Sequence, residues 1–164
     1  MEEQTIKLRG IEPKDVDFML RLVSDPETTR YIQGLITDRD MLLDWIVSLT
    51  ENDHEYLVAL SDGTPIGECS IAASESIGDI GYMLLPEYWR KGYGTTVVYC
   101  LLAIAANMGL NMASATTDSN NTASVKLLEK TGFTVYRQGW MLHVSEDGKN
   151  DSSGQTVVEY RRSL

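Results

Sequence analysis

The residues most ready for chemistry lie between Tyr82 and Thr95. An apolar run, Tyr82-Met83-Leu84-Leu85, stops at Pro86. A short loop then reaches Gly92-Tyr93-Gly94, ahead of a long apolar stretch. A helix that begins at such a turn presents unpaired backbone N–H groups and a partial positive charge, which suits a phosphate. Glycines let the backbone approach the anion with no Cβ in the way. Arg90 and Lys91 add positive charge beside the turn. The loop is not a Walker A motif, because no Gly-Lys-Ser/Thr end follows, and it lacks the third glycine of a dinucleotide fingerprint. A phosphate-bearing cofactor is the expectation, with an ordinary strand–turn–helix connection as the alternative.

Around this loop the periodicity predicts the elements that must position it. Thr5–Arg9 alternates as a strand. A helix starting at Pro13–Asp17 carries the stripe Val16, Met19, Leu20, Val23 and ends at Asp25-Pro26. A short segment at Thr28–Gln33 and a second helix over Arg39–Thr50 follow. Strands are expected at Tyr56–Leu60, Pro65–Ala72 and Ile77–Leu85, the first two joined by an Asp62-Gly63 turn. Gly92–Asn107 is apolar on nearly every face and reads as a buried helix. After it come a strand at Met112–Thr116, a helix from the cap-rich Asp118-Ser119-Asn120-Asn121 to Thr131, and a strand at Phe133–Arg137. Ser145–Gly154 reads as a polar loop or hairpin tip, and Val157–Arg161 as a final strand. Strands bracketing helices in one sheet give a mixed α/β or α+β domain, expected to span 1–164.

Composition narrows the function. The formal net charge of −10 disfavours generic nucleic-acid binding and is compatible with a cationic acceptor. No run reaches the length of a membrane span, and the acidic start Met1-Glu2-Glu3 is unlike a signal peptide. Cys69 and Cys100 sit apart in apolar runs and suggest packing in a reducing, cytoplasmic compartment. His54 and His143 stand in no ligand spacing, so neither a metal site nor a Cys-His dyad is expected.

The order of parts resembles the GNAT acetyltransferase superfamily, most strongly its RimJ/RimL-like branch of ribosomal-protein N-terminal acetyltransferases. The resemblance rests on Ile80-Gly81-Tyr82, Pro86-Glu87-Tyr88-Trp89, Lys91-Gly92-Tyr93-Gly94, Asn121-x-x-Ser124 and Leu128-Glu129-Lys130-Thr131-Gly132-Phe133. Weaker echoes occur at Leu8-Arg9, Asp25-Pro26-Glu27 and Trp45. It implies a central mixed, mostly antiparallel sheet with splayed middle strands flanked by helices. It also implies acetyl-CoA as donor and a primary amine as acceptor, with no metal.

By this resemblance the backbone of Met83, Leu84 and Leu85 pairs with the pantetheine arm. Arg90, Lys91, Gly92, Tyr93, Gly94 and Thr95 wrap the pyrophosphate, and Asn121 bonds the arm. Trp89 stands where the superfamily has Gln or Arg, as is common in the branch. Leu128 occupies the place of the tyrosine that protonates the departing thiolate in other members. Ser124, one helical turn after Asn121, is the branch's replacement. A carboxylate must take the amine proton, and Glu68 and Asp79 are the two candidates. Glu68 interrupts an otherwise uncharged strand; Asp79 follows Gly78 and also suits a turn.

The acceptor stays open among a protein N-terminal α-amine, a polyamine and an antibiotic. The missing tyrosine also leaves room for a CoA-binding sensor or interaction module without transfer. Acceptor recognition is expected in residues 15–50 and the late polar loop. Oligomeric state is open too, with a homodimer among the options.

Overall fold

The structure, a computed structural model, describes residues 5–49, 54–144 and 150–164, with side chains at 5–49, 56–142 and 154–164. The chain runs β1 (Ile6–Gly10), α1 (Val16–Ser24), α2 (Arg39–Ser48), β2 (His54–Ser61), β3 (Thr64–Ser74) and β4 (Ile77–Leu84). It continues with α3 (Tyr93–Asn107), β5 (Met112–Asp118), α4 (Thr122–Lys130), β6 (Thr134–Val144) and β7 (Asn150–Ser163). All seven strands join one sheet in the order β1-β2-β3-β4-β5-β7-β6. Every pairing is antiparallel except β4 with β5. The mixed sheet with helices on both faces is the expected class.

Alternation along the strands decides which helices cover which face. Cys69, Ile71, Ile80 and Leu84 point to one side and are buried with Val97, Val98 and Leu101 of α3 and Leu128 of α4. The opposite side carries Glu68 and Met83, which lie directly across the β3–β4 ladder from each other. There Val16, Met19, Leu22 and Val23 of α1 and Leu42 and Ile46 of α2 form a second core. Buried Asp15 ties this helical layer to the sheet: the Arg9 guanidinium donates to both its oxygens at 2.7 Å, and the Glu12 N–H donates to it at 2.9 Å. Burial opposes the ionised form of Asp15, but these bonds outweigh it and hold its carboxyl below the usual range.

One burial pattern and the extent of the last two strands differ most from the sequence reading. Helix α3 is not buried all round: Thr96, Tyr99, Ala103 and Ala106 face solvent. Alanines score as apolar yet need little shelter, so they blurred the helix's two faces. Strand β6 extends past Arg137 to Val144, and Asn150–Gly154 belongs to β7 rather than to a loop. Pairing of Leu142 with Gly154 and of Val144 with Asn150 satisfies their main chains, and this overrides weak strand propensity. The rest of the expected loop, 145–149, lies outside the described residues, as does the end of the second helix at Thr50.

Candidate active site

The central feature is a gap between two neighbouring strands. β4 and β5 pair through only Ile77–Met112, Gly78–Ala113 and Asp79–Ser114; beyond these residues neither strand pairs with the other. The Leu85 N–H donates to the Ile66 carbonyl at 3.0 Å, so Leu85 faces β3. Period-two alternation then turns the main-chain groups of Met83 toward β3 and those of Tyr82 and Leu84 into the gap. Of the three backbone positions expected to meet a ligand arm, Leu84 presents its groups to the opening. Met83 spends its groups on the ladder, while the Leu85 N–H bonds β3 and the Leu85 carbonyl accepts from the Tyr88 N–H at 3.0 Å. The Leu84 carbonyl also accepts from the Trp89 indole N–H at 2.7 Å. Trp89 thereby pins the loop to the end of β4, a role its residue type did not announce.

At that end lies the start of α3. Gly92 is its N-cap with φ +91°, and Arg90 also takes a left-handed φ of +55°. These left-handed turns aim successive N–H groups to one side, the geometry of an anion nest. No side chain caps the first turn, so the N–H groups of Tyr93, Gly94 and Thr95 have no capping acceptor there. Thr96 N–H is the first to bond back, to the Gly92 carbonyl at 3.2 Å. A Cβ on Gly94 would come within 3.0 Å of the Leu127 side chain, so the absent side chain lets α3 seat closely on α4. Arg90 and Lys91 are exposed beside the nest. This cradle fits a pyrophosphate, and the gap beside β4 fits an extended chain bearing amides.

Across the gap stands α4. The Asn121 side chain caps it by accepting from the Ser124 N–H at 3.1 Å. Ser124 Oγ lies 3.0 Å from Tyr82 Oη, a hydrogen bond linking α4 to β4. Burial raises the Tyr82 phenol above its ordinary pKa, and the Ser124 bond opposes this. Tyr82 carried no role in the sequence reading. Only its place in Ile80-Gly81-Tyr82 could have singled it out. Leu128, by contrast, is fully packed in the core.

On the α1/α2 side, β3 and β4 form the floor of a pocket of about 390 Å³. Met19 and Val23 of α1 and Leu42 and Trp45 of α2 wall it, with Ile32, Leu35 and Ile36 from the intervening segment. Trp45 meets Tyr56 edge to face at 5.0 Å between ring centroids. Glu68 lies on the pocket floor, 6% exposed, and its Oε1 has no hydrogen-bond partner. Burial pushes its carboxyl from the ordinary 4.5 up to about 7. Asp79 is on the same face but does not line this pocket; it is exposed and accepts from the Ser114 hydroxyl at 2.7 Å. The geometry thus sets one of the two candidate carboxylates in the pocket and the other against Ser114. The Cys69 thiol is buried and driven well above its ordinary pKa, first by desolvation and then by Glu68, which suits packing and not nucleophilic attack. Among the described residues no three His, Cys, Asp or Glu side chains gather as metal ligands, and no helix is long and apolar enough to cross a membrane.

A sheet parted beside an uncapped helix start, with a buried carboxylate at a neighbouring pocket, is the geometry that a protein holding a phosphate-bearing arm against a second substrate would need. The family model for the acetyltransferase (GNAT) domain matches residues 5–134, and the chain belongs to that family. It is therefore an N-acetyltransferase by descent. The uncharacterised N-acetyltransferase p20 of Bacillus licheniformis is 29% identical over 142 residues, 79% of each chain. The spermidine N-acetyltransferase of Vibrio cholerae, solved with CoA and spermine, superposes with a TM-score of 0.81 at 18% identity over 96% of this chain and 95% of that one. RimL, a ribosomal L7/L12 α-N-protein acetyltransferase solved with CoA, gives 0.81 at 17% identity over 99% and 96%. At such identities these two structures speak to the fold.

Proposed function

We propose that the protein transfers an acetyl group from acetyl-CoA directly to a primary amine. The observation that carries this reading is the gap between β4 and β5, which ends at the uncapped first turn of α3. The nest at Arg90–Thr95 would hold the pyrophosphate. The main-chain groups of Tyr82 and the N–H of Leu84 would pair with the arm, and Asn121 would stand across the gap from them. The CoA found in RimL and in the spermidine enzyme supports this reading.

Glu68 is the proposed base and Ser124 the proposed acid. An amine must be neutral to attack a thioester. An α-amine, with a reference pKa of about 8, needs less help than a lysine side chain at about 10.4. Glu68 accepts the proton as the C–N bond forms. The C–S bond breaks, and the sulfur takes a proton from Ser124 Oγ. Tyr82 Oη, 3.0 Å from that oxygen, would pass it a proton in turn, and exchange with solvent would restore Tyr82 and Glu68. The N–H groups around Leu84 are the proposed stabilisers of the oxyanion. Protein N-terminal α-amines and small-molecule amines are both acceptors of this kind. Cys69 and Cys100, both unpaired, are consistent with a cytoplasmic setting.

Calorimetry with acetyl-CoA, followed by thiol release on adding amines, tests the reading. Gly92→Glu, which sets a bulky anion at the nest and forces an L side chain into φ +91°, should abolish the binding heat while circular dichroism stays native. Equal heats for the wild type and a folded variant would remove the loop from the cofactor site.

A further inference from the structure

The pocket at Glu68, taken as the acceptor site, combines one buried carboxylate with walls that, among the described residues, carry no other. Among the described residues its hydroxyl-bearing neighbours are Ser70, Thr116, Tyr56 and Tyr82, and no second Asp or Glu lines it. Burying an ion without a partner is unfavourable by several kcal/mol, whereas apolar area gains about 25 cal/mol per Å² removed from water. Against such walls a second ammonium of a polyamine would lie beside Leu35, Ile36 or Trp45, with no further carboxylate among the described lining residues to pair it. A single ammonium attached to hydrocarbon meets the opposite balance. Its charge faces Glu68, whose Oε1 lacks a partner, and its body displaces water from apolar side chains. The volume of about 390 Å³ accommodates one compact group such as a phenyl or branched alkyl. The overall charge of −10 favours the approach of a cation.

Resting on the acetyltransferase reading, we infer that the acceptor is a primary amine carried on one compact apolar body, with no second positive charge, its nitrogen docking at Glu68. Two sources supply that chemistry: a free arylalkyl- or alkylamine, and a polypeptide N-terminus whose first side chain is apolar.

The test uses the full-length protein with saturating acetyl-CoA and thiol release as readout, alongside binding heats for acetyl-CoA alone. The acceptors are 2-phenylethylamine, 3-methylbutylamine, spermidine, and peptides beginning with Leu or with Asp. The expected result is a kcat/KM at least tenfold higher for the apolar monoamines or the Leu-first peptide than for spermidine or the Asp-first peptide. Which of the two favoured groups leads identifies the source. Ile32→Glu, at a pocket-lining position 37% exposed and so tolerant of charge, should raise the spermidine-to-phenylethylamine ratio at least tenfold. Spermidine leading in the wild type overturns this inference and leaves the transferase reading standing. So does an unchanged ratio in the variant. Binding of acetyl-CoA with no release to any of these amines also overturns it. No binding heat at all refutes the reading of the cofactor site instead.

Discussion

Replacing Glu68 with glutamine keeps the side chain's shape and removes its titration. In the folded protein burial lifts this carboxyl from 4.5 to about 7, so the native state binds the proton more tightly than the unfolded chain does. The sign follows from linkage: stability from Glu68 is fully present below about pH 4.5 and is lost as pH rises through about 7. At 1.36 kcal/mol per tenfold, that interval corresponds to about 3 kcal/mol. For a chain of this size the loss is about 6–12 °C in Tm. Glu68→Gln carries no charge at any pH, so its stability profile should lack this fall. Denaturant unfolding of both proteins at half-unit steps from pH 4.5 to 8.5 measures the difference directly. The variant should gain on the wild type by about 3 kcal/mol across the range and then run parallel above pH 8. Activity should move the other way. Wild-type kcat/KM rises with pH to a plateau above about 7, because only the ionised carboxylate accepts a proton. The variant should lose on the order of 10²–10⁴ in rate. Parallel stability profiles throughout would show that Glu68 does not titrate as a buried group. Retained activity in the variant would end its role as base.

Three further substitutions probe the proposed acid, its neighbour and the tie between the helical layer and the sheet. Ser124→Ala should lower kcat with little change in the binding heat of acetyl-CoA, and Tyr82→Phe, which deletes the oxygen 3.0 Å from Ser124 Oγ, should lower kcat less and shift the alkaline limb of the rate profile; unchanged turnover in Ser124→Ala would exclude it as the acid. Asp15→Ala leaves the Arg9 guanidinium without its two 2.7 Å bonds and should cost about 2–4 kcal/mol of stability in urea melts at pH 7. Because the Asp15 carboxyl is held below its ordinary 3.8, that difference should shrink only as pH falls below this value; a difference already gone at pH 5 would refute the pairing argument.

The elements were legible where local chemistry is strong. Asp25-Pro26 stops α1 because the residue before proline avoids the helical region, and Gly92 and Gly132 carry the positive φ angles that bound α3 and α4. Asn121 was visible as a cap for the same reason. What stayed hidden depends on which strands meet. Glu68 and Asp79 share a face by alternation, yet only register across β3, β4 and β5 sets one in the pocket and the other against Ser114. Tyr82 meets Ser124 across a sequence separation of 42, beyond the reach of any local pattern. The length of the β6–β7 pair was underestimated because the residues of 150–154 favour turns, and only cross-strand pairing makes them extend.

The parted sheet has a mechanical consequence. β1 to β4 and β5 to β7 meet through three residue pairs of main chain, helped by α3 and α4 leaning on both. That junction is a seam, the place where the two blocks have the fewest shared amide bonds to break. A guest that lends its own amides along the free margin of β4 would act as a stitch. Hydrogen exchange at Tyr82 and Leu84 should then slow far more than exchange in β2 or β7 when the guest arrives, reporting occupancy residue by residue without any turnover.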